Sequence, residues 1–203
     1  DCDLCILAVS DDVLAEISKR LPLRNTLVVH TSGMVPMALI QRDTYRCGVF
    51  YPLQTFGGAT PPDFNTIPVC LEAQHPDDLK HLMVLAGRLT RQVHLIDSAR
   101  RSRLHLAAVF ANNFAHFMFV LGGEIAKSAE LPGELLVPLI QRTGEQISDT
   151  SDLFKTQTGP AVRGDLKVME HHRKLLDDRP EMLEIYNLIT QNIIQFKEKN
   201  GQL

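Results

Sequence analysis

Arg101, His105, Asn112 and His116 recur at helical spacing inside an otherwise apolar stretch. At about 100° per residue they fall within about 60° of one another, with Ala108 on the same line leaving room beside them. Around them stand Leu104, Leu106, Val109, Phe110, Phe114, Phe117 and Phe119. A buried polar group without a partner costs about 1–3 kcal/mol, so such a row faces a ligand, water or polar groups of a neighbouring helix. An imidazole in it can move protons near neutral pH. A satisfied network between packed helices remains the structural alternative. The cleft reading is favoured because the row starts where two halves of the chain should meet, a usual place for ligands.

Two polar strings follow strand-like runs: His30-Thr31-Ser32-Gly33 and Tyr51-Pro52-Leu53-Gln54-Thr55-Phe56-Gly57-Gly58. Val9, Ser10 and Asp11 stand where another strand passes into a helix. In open parallel sheets ligands bind beyond the carboxyl ends of strands, and hydroxyls, amides and a helix terminus suit a phosphate or a carboxamide. A further string runs from Thr158-Gly159-Pro160 to Arg163-Gly164-Asp165, where Arg163 and Asp165 either orient an anionic substrate or simply cap the next helix. His171-His172 reads as a solvated helix face. No metal-ligand spacing such as H-E-x-x-H and no G-x-S-x-G elbow occurs, so no metal site is expected.

The elements that must hold these residues form two groups. Apolar runs at 4–9, 26–30, 47–51, 67–71 and 93–96 read as strands. Helices are expected at 13–19, after the acidic cap Ser10-Asp11-Asp12, and at 76–89, where the apolar spacing is helical. That alternation is an open α/β sheet. From residue 98 the chain turns helical: one long helix over 98–129, apolar on most faces and therefore expected to be buried, then 132–147, 166–176 and 181–197, with 153–165 a loop. Pro138 must kink its helix or mark its first turn. The expected organisation is a Rossmann-like α/β domain over 1–97 and an all-α domain over 98–203.

Composition narrows the classes. The apolar share is 44% and the charged share 22%, which fits a globular chain. Net charge is −3, from 21 basic and 24 acidic residues, and gives no reason to expect nucleic acid. No run is expected to reach the roughly 18 apolar residues of a membrane span, so a soluble cytoplasmic protein is expected. The four cysteines, Cys2, Cys5, Cys47 and Cys70, read as buried free thiols in a reducing compartment. A strand so close to residue 1 leads us to expect further residues upstream.

Thr31-Ser32-Gly33, Tyr51-Pro52-Leu53-Gln54-Thr55-Phe56, Leu104-His105-Leu106-Ala107-Ala108-Val109-Phe110-Ala111-Asn112-Asn113 and the 158–165 string, in this order, resemble a bacterial family assigned as NADP-dependent oxidoreductases. That family joins a Rossmann-like domain to a helical domain of unknown function similar to the C-terminal part of 6-phosphogluconate dehydrogenase. More distantly it is similar to pyrroline-5-carboxylate reductase and the 3-hydroxyisobutyrate dehydrogenases. The resemblance covers nearly the whole chain. It implies that Val9, Ser10, Asp11, Thr31, Ser32 and Gly33 border NADP or NAD. It implies that His105 with Asn113 or Asn112 is catalytic, and that Gln54, Thr55, Arg101, Thr158, Arg163 and Asp165 position a small-molecule substrate.

Two departures accompany it. The family's first strand and G-x-G-x-x-G turn have no counterpart here, so this stretch of chain is expected to bind the cofactor weakly or not at all. The hydroxyisobutyrate-type enzymes carry a Lys one helical turn before an Asn, and alignment on Asn113 puts Val109 there. His105 is then the nearest polar substitute. The helical wheel favours Asn112 and the family register Asn113.

Three readings follow. The first is an oxidoreductase passing a hydride to or from a small carbonyl, imine or hydroxy compound in an interdomain cleft. The second is a nucleotide-sensing or structural dimer without turnover. The third is a phosphate-handling enzyme that uses Arg101 and Arg163 as anion clamps. The long apolar helix needs cover on every side, which predicts a homodimer through the helical half, with neither nucleic acid nor membrane as a partner.

Overall fold

The computed structural model describes residues 2–58, 60–148 and 152–200. It divides into two compact units, Asp1–Ala115 and His116–Leu203. The first holds a five-stranded sheet in the order β1 (Leu4–Leu7), β2 (Leu27–His30), β3 (Arg46–Pro52), β4 (Val69–Ala73), β5 (Val93–Leu95). β1, β2 and β3 are parallel; β4 runs antiparallel to β3 and parallel to β5. This is the Rossmann-like α/β fold expected, with a mixed sheet. The reversal follows from the 53–68 connection, which carries Pro61, Pro62 and Pro68 and one 3₁₀ turn, Phe64–Thr66. Antiparallel neighbours need no helical crossover.

The inner strands β2, β3 and β4 are covered on both faces, as their unbroken apolar runs lead one to expect, whereas the edge strands β1 and β5 leave Ile6 and Leu95 exposed. On one face Leu27, Val29, Phe50, Val69 and Leu71 pack under Leu82 and Ala86 of α2 (Pro76–Gly87). On the other, Val28 and Cys47 meet Leu14 of α1 (Asp11–Arg20) and Ile40. Further along that face Val49, Tyr51 and Cys70 meet Leu104.

Leu104 belongs to α3, a continuous helix over Ser98–Ser128. The Asp97 carboxylate caps it by accepting the Arg100 amide at 2.8 Å. One turn on, the Arg101 side chain is fully buried. Its guanidinium donates to Glu72 of β4 at 2.6 Å, to Ser98 Oγ at 3.3 Å and to the Val35 carbonyl. Ser98 Oγ in turn donates to Glu72 at 2.7 Å and accepts the Met37 amide. These bonds hold the start of α3 to the sheet, and the first compact unit therefore runs past residue 97, the expected junction, to Ala115.

The second unit contains the rest of α3, then α4 (Val137–Ser148), α5 (Pro160–Arg163), α6 (Leu166–Lys174) and α7 (Pro180–Lys199). Pro138 lies in the first turn of α4, where its missing amide costs nothing. The 153–165 stretch, expected as loop, contains a 3₁₀ turn, Leu153–Thr156, and α5. Met169, Leu176 and Thr190 are buried, and Lys197 Nζ ties α7 to the Val162 carbonyl at 2.7 Å.

Three expectations are corrected. The middle of α3 is not buried: Phe110 is 63% exposed and Phe114 50%, and Phe117, Val120 and Ile125 are also exposed. An apolar face requires cover, but within one chain nothing described supplies it. α3 is also long and apolar enough, by length and composition, to cross a membrane, because no Asp, Glu, Lys or Arg occurs over 104–123. Core helices of soluble proteins pass the same test. All four cysteines are free as expected, but only Cys47 and Cys70 are buried, while Cys2 is exposed.

Replacing Arg101 by Met should leave Glu72 and the Val35 carbonyl without their cation. Removal of one partner from a buried pair costs about 3 kcal/mol or more. Denaturant unfolding should show that loss, whereas Arg100→Met at the neighbouring position should stay within about 0.5 kcal/mol of the parent.

Candidate functional site

β3 alternates its side chains, so Tyr51 shares a face with Val49 and points to the side on which α3 lies. One turn after Arg101, α3 brings His105 to it. Tyr51 Oη and His105 Nδ1 are 3.3 Å apart, and the rings meet edge to face with centroids 6.3 Å apart. The loop after β2 closes the third side. A Cβ on Gly33 would lie 2.5 Å from His105 Nδ1 and 2.9 Å from Tyr51 Cζ, so only glycine fits. Burial pushes the Tyr51 phenol above its ordinary pKa, with the Cys70 thiol adding to the rise and Arg101 opposing it.

His105 opens onto a cavity of about 510 Å³, lined by Tyr51, Gln54, Thr55, Asn112 and Asn113, among others. Leu104, Ala107, Ala108 and Ala111 supply the apolar wall. The helix is not α-helical here: Val109–Phe114 is a π-helix. Closing each hydrogen bond one residue later widens the turn, a departure found mostly at functional sites. Both Asn112 and Asn113 therefore reach the cavity, where an α-helical wheel admits one. Asn112 Nδ2 donates to Thr55 Oγ1 at 2.8 Å and so joins the π segment to the loop after β3. Gln54 Oε1 accepts the Thr55 amide at 2.8 Å.

The carboxyl ends of β2 and then β1 follow that of β3 along the sheet. Thr31 continues the pairing by donating its amide to the Leu7 carbonyl at 3.3 Å. Ser32 is buried, and its Oγ accepts the amides of Met34 and Val35, so its hydroxyl shapes the loop. Val9 and Ser10 are exposed at the entry to α1. Asp11 and Asp12 occupy the first turn of α1 and oppose a phosphate there. A carboxamide or a ribose hydroxyl, being uncharged, meets no such opposition.

The other expected site residues lie elsewhere. Arg101 has no exposed surface and its guanidinium is engaged by Glu72, Ser98 and the Val35 carbonyl, which opposes its use as an anion clamp. Thr158 lines a separate, apolar cavity of about 340 Å³ in the helical unit, with Leu121, Ile125, Met182 and Ile189. Asp165 caps α6 by accepting the Val168 amide at 3.2 Å, the capping alternative, and Arg163 is exposed. His116 is exposed in the second unit against the Phe119 ring. Sequence reasoning missed Tyr51 as a site residue and the π turn. Tyr51 stands in the quoted 51–56 string at a strand's carboxyl end, which was the available signal. Nothing in 109–114 announces a π turn.

A family model described as a domain of unknown function, DUF2520, matches residues 67–193. The chain belongs to the DUF2520 family. Its match opens before β4 and closes within α7, so it takes in His105, Asn112 and Asn113. Among solved structures, a Bacteroides fragilis protein assigned as an NADP oxidoreductase is 36% identical, over 95% of this chain and 75% of that one, with a TM-score of 0.88. A Thermotoga maritima protein shares the fold at 21% identity, over 97% and 78% of the two chains, with a TM-score of 0.77. An imine reductase from Myxococcus stipitatus, solved with NADP⁺, shares it at 16% identity, over 98% and 75%, with a TM-score of 0.60. No functionally curated protein sequence matches this DUF2520 chain.

His30, at the end of β2, carries a prediction of its own. It is fully buried; its Nδ1 accepts the Ser32 amide at 3.2 Å and its Nε2 has no partner among the described residues. Burial, then the Arg101 charge, lowers its pKa from 6.5 to about 4, against a smaller opposing pull from Asp11. The unfolded chain therefore takes up this proton first as pH falls. The stabilisation is complete above about pH 6.5 and is lost as pH drops through 4, amounting to about 2 kcal/mol between pH 8 and pH 5. Urea unfolding at those two pH values should show this fall, and His30→Asn, which keeps an acceptor for Ser32, should flatten it.

Proposed function

We propose that the protein is an oxidoreductase using NADP(H), or alternatively NAD(H), on a small carbonyl, imine or hydroxy compound. The observation that carries this reading is the convergence of His105, Gln54, Thr55, Asn112 and Asn113 on one cavity. The 36%-identical relative assigned as an NADP oxidoreductase, and the NADP⁺ bound to the imine reductase, support the cofactor class. Val9, Ser10, Asp11, Thr31 and Gly33 would border the nicotinamide end, with Ser32 holding their loop in shape. A bound nicotinamide supplies or accepts a hydride at the substrate carbon. His105 holds the proton for the adjacent oxygen or nitrogen. The carboxamides of Gln54, Asn112 and Asn113 and the Thr55 hydroxyl orient the substrate's polar atoms, and the three alanines leave it volume. This is chemistry for the cytoplasm.

In the full-length protein, NADPH binding followed by fluorescence should be detectable. His105→Ala should leave that affinity within twofold and lower turnover by about 100- to 10,000-fold, the usual share of a general acid–base group. Binding of neither nicotinamide cofactor would overturn the reading. Binding without turnover on any carbonyl or imine would favour the inert, sensing dimer that Val109 at the family's Lys position suggests.

The same reading includes a homodimer. The exposed face of α3, with Leu106, Phe110, Phe114 and Phe117, is interrupted by His105, Asn112, Asn113 and His116. Such polar groups suit a protein cover and are costly in lipid. Light scattering at micromolar concentration should return a dimer mass, and Phe110→Glu with Phe114→Glu should return a monomer.

A further inference from the structure

Tyr51 and His105 form the one ring pair at this site, and the bond between them has a direction that the surroundings decide. Tyr51 is only 9% exposed, and burial keeps its phenol protonated. Among the described residues, His105 Nδ1 is the sole hydrogen-bond partner of its hydroxyl. If the hydroxyl donates, its buried proton is satisfied and Nδ1 is the acceptor. If Nδ1–H donated instead, the phenolic proton would have no acceptor among the described residues, and an unsatisfied, largely buried donor is disfavoured. Gly33 packs beside this contact, where a Cβ would lie 2.5 Å from His105 Nδ1 and 2.9 Å from Tyr51 Cζ. The second nitrogen, Nε2, is neither buried nor bonded among the described residues.

We propose that Tyr51 is a positioning residue that locks neutral His105 in its Nε2–H tautomer, so that the ring meets the substrate as a hydrogen-bond donor. This rests on the oxidoreductase reading above and deepens it. A donor at Nε2 offers a hydrogen bond to an acceptor atom of the substrate, such as a carbonyl oxygen or an imine nitrogen. Tyr51 lines the same cavity as His105, and its part in this proposal is played through His105. The second ring nitrogen of a histidine is commonly set by the bond that the first one makes.

The test reads the tautomer and needs neither substrate nor cofactor. In full-length protein with ¹⁵N-labelled histidine, the two ring nitrogens of His105 report their protons by NMR at pH 9, where imidazole is neutral. Among the eight histidines, His105→Gln identifies the signal by its disappearance. The wild type should show His105 protonated at Nε2. Tyr51→Phe keeps the ring and removes the hydroxyl, and it should lower the ratio of Nε2–H to Nδ1–H by about fivefold, the factor of one net hydrogen bond. A wild-type ring protonated at Nδ1 would overturn the proposal, whether or not Tyr51→Phe folds. So would a ratio unchanged in a folded Tyr51→Phe protein. Either failure leaves the oxidoreductase reading standing, because that reading is decided by NADPH binding and turnover.

Discussion

The bond set around Arg101 is the constraint from which the site follows. An arginine with no exposed surface is held by Glu72, Ser98 and the Val35 carbonyl. Desolvating a guanidinium is costly, and attraction offsets that cost only when the geometry supplies partners for its donors. Here the partners come from β4, from the loop after β2 and from the first turn of α3 itself. The helix therefore has one rotation and one height on the sheet, and any slip would strand a buried charge. His105, one turn further, is carried to Tyr51 by that register. The same charge, next after burial, lowers the pKa of His30 at the end of β2. A residue that the sequence suggested for substrate binding is thus the anchor of the element that presents the site.

Gly33 and the π turn convert that register into a usable cavity. Gly33 lets the β2 loop come within contact distance of both rings, so the Tyr51–His105 contact is closely packed before anything binds. Beyond it, the widened turn at Val109–Phe114 spreads Asn112 and Asn113 along the rim, and the Asn112–Thr55 bond holds the loop after β3 in place. Pre-set donors and acceptors of this kind favour catalysis because they need no reorganisation when charge develops. The alanines on the same turns matter by what they omit, since larger side chains would fill the space between His105 and the asparagines.

The apolar face of α3 is the other physical fact that demands an explanation. A helix carrying Phe110, Phe114 and Phe117 in water is unstable as a surface, and two copies covering one another remove that area without any new chain. A second copy is also consistent with the polar interruptions of the stripe. The apolar cavity of the helical unit, where Thr158 lies, is a separate feature with no titratable side chain other than Tyr186 in its lining.

Much of this architecture was legible in order along the chain. Strand runs without polar alternation announced an α/β sheet with covered inner strands, and Asp11-Asp12 marked a helix start; for Pro138 the sequence left a kink or a first turn open, and the fold takes the first turn. The row from Arg101 to Asn112 singled out α3 and, in His105 and Asn112, two side chains that line one cavity. Local periodicity carries such information because neighbours on a helix or strand face the same way whatever lies beyond. It carries none about which distant backbone comes to meet them. That Arg101 would be spent on Glu72, that Tyr51 would join His105, that β4 would run antiparallel, and that a π turn would admit both asparagines all depend on contacts between residues far apart in sequence. Only the folded chain brings those residues together, and the cost of leaving a buried charge or hydroxyl unpartnered is what selects the arrangement.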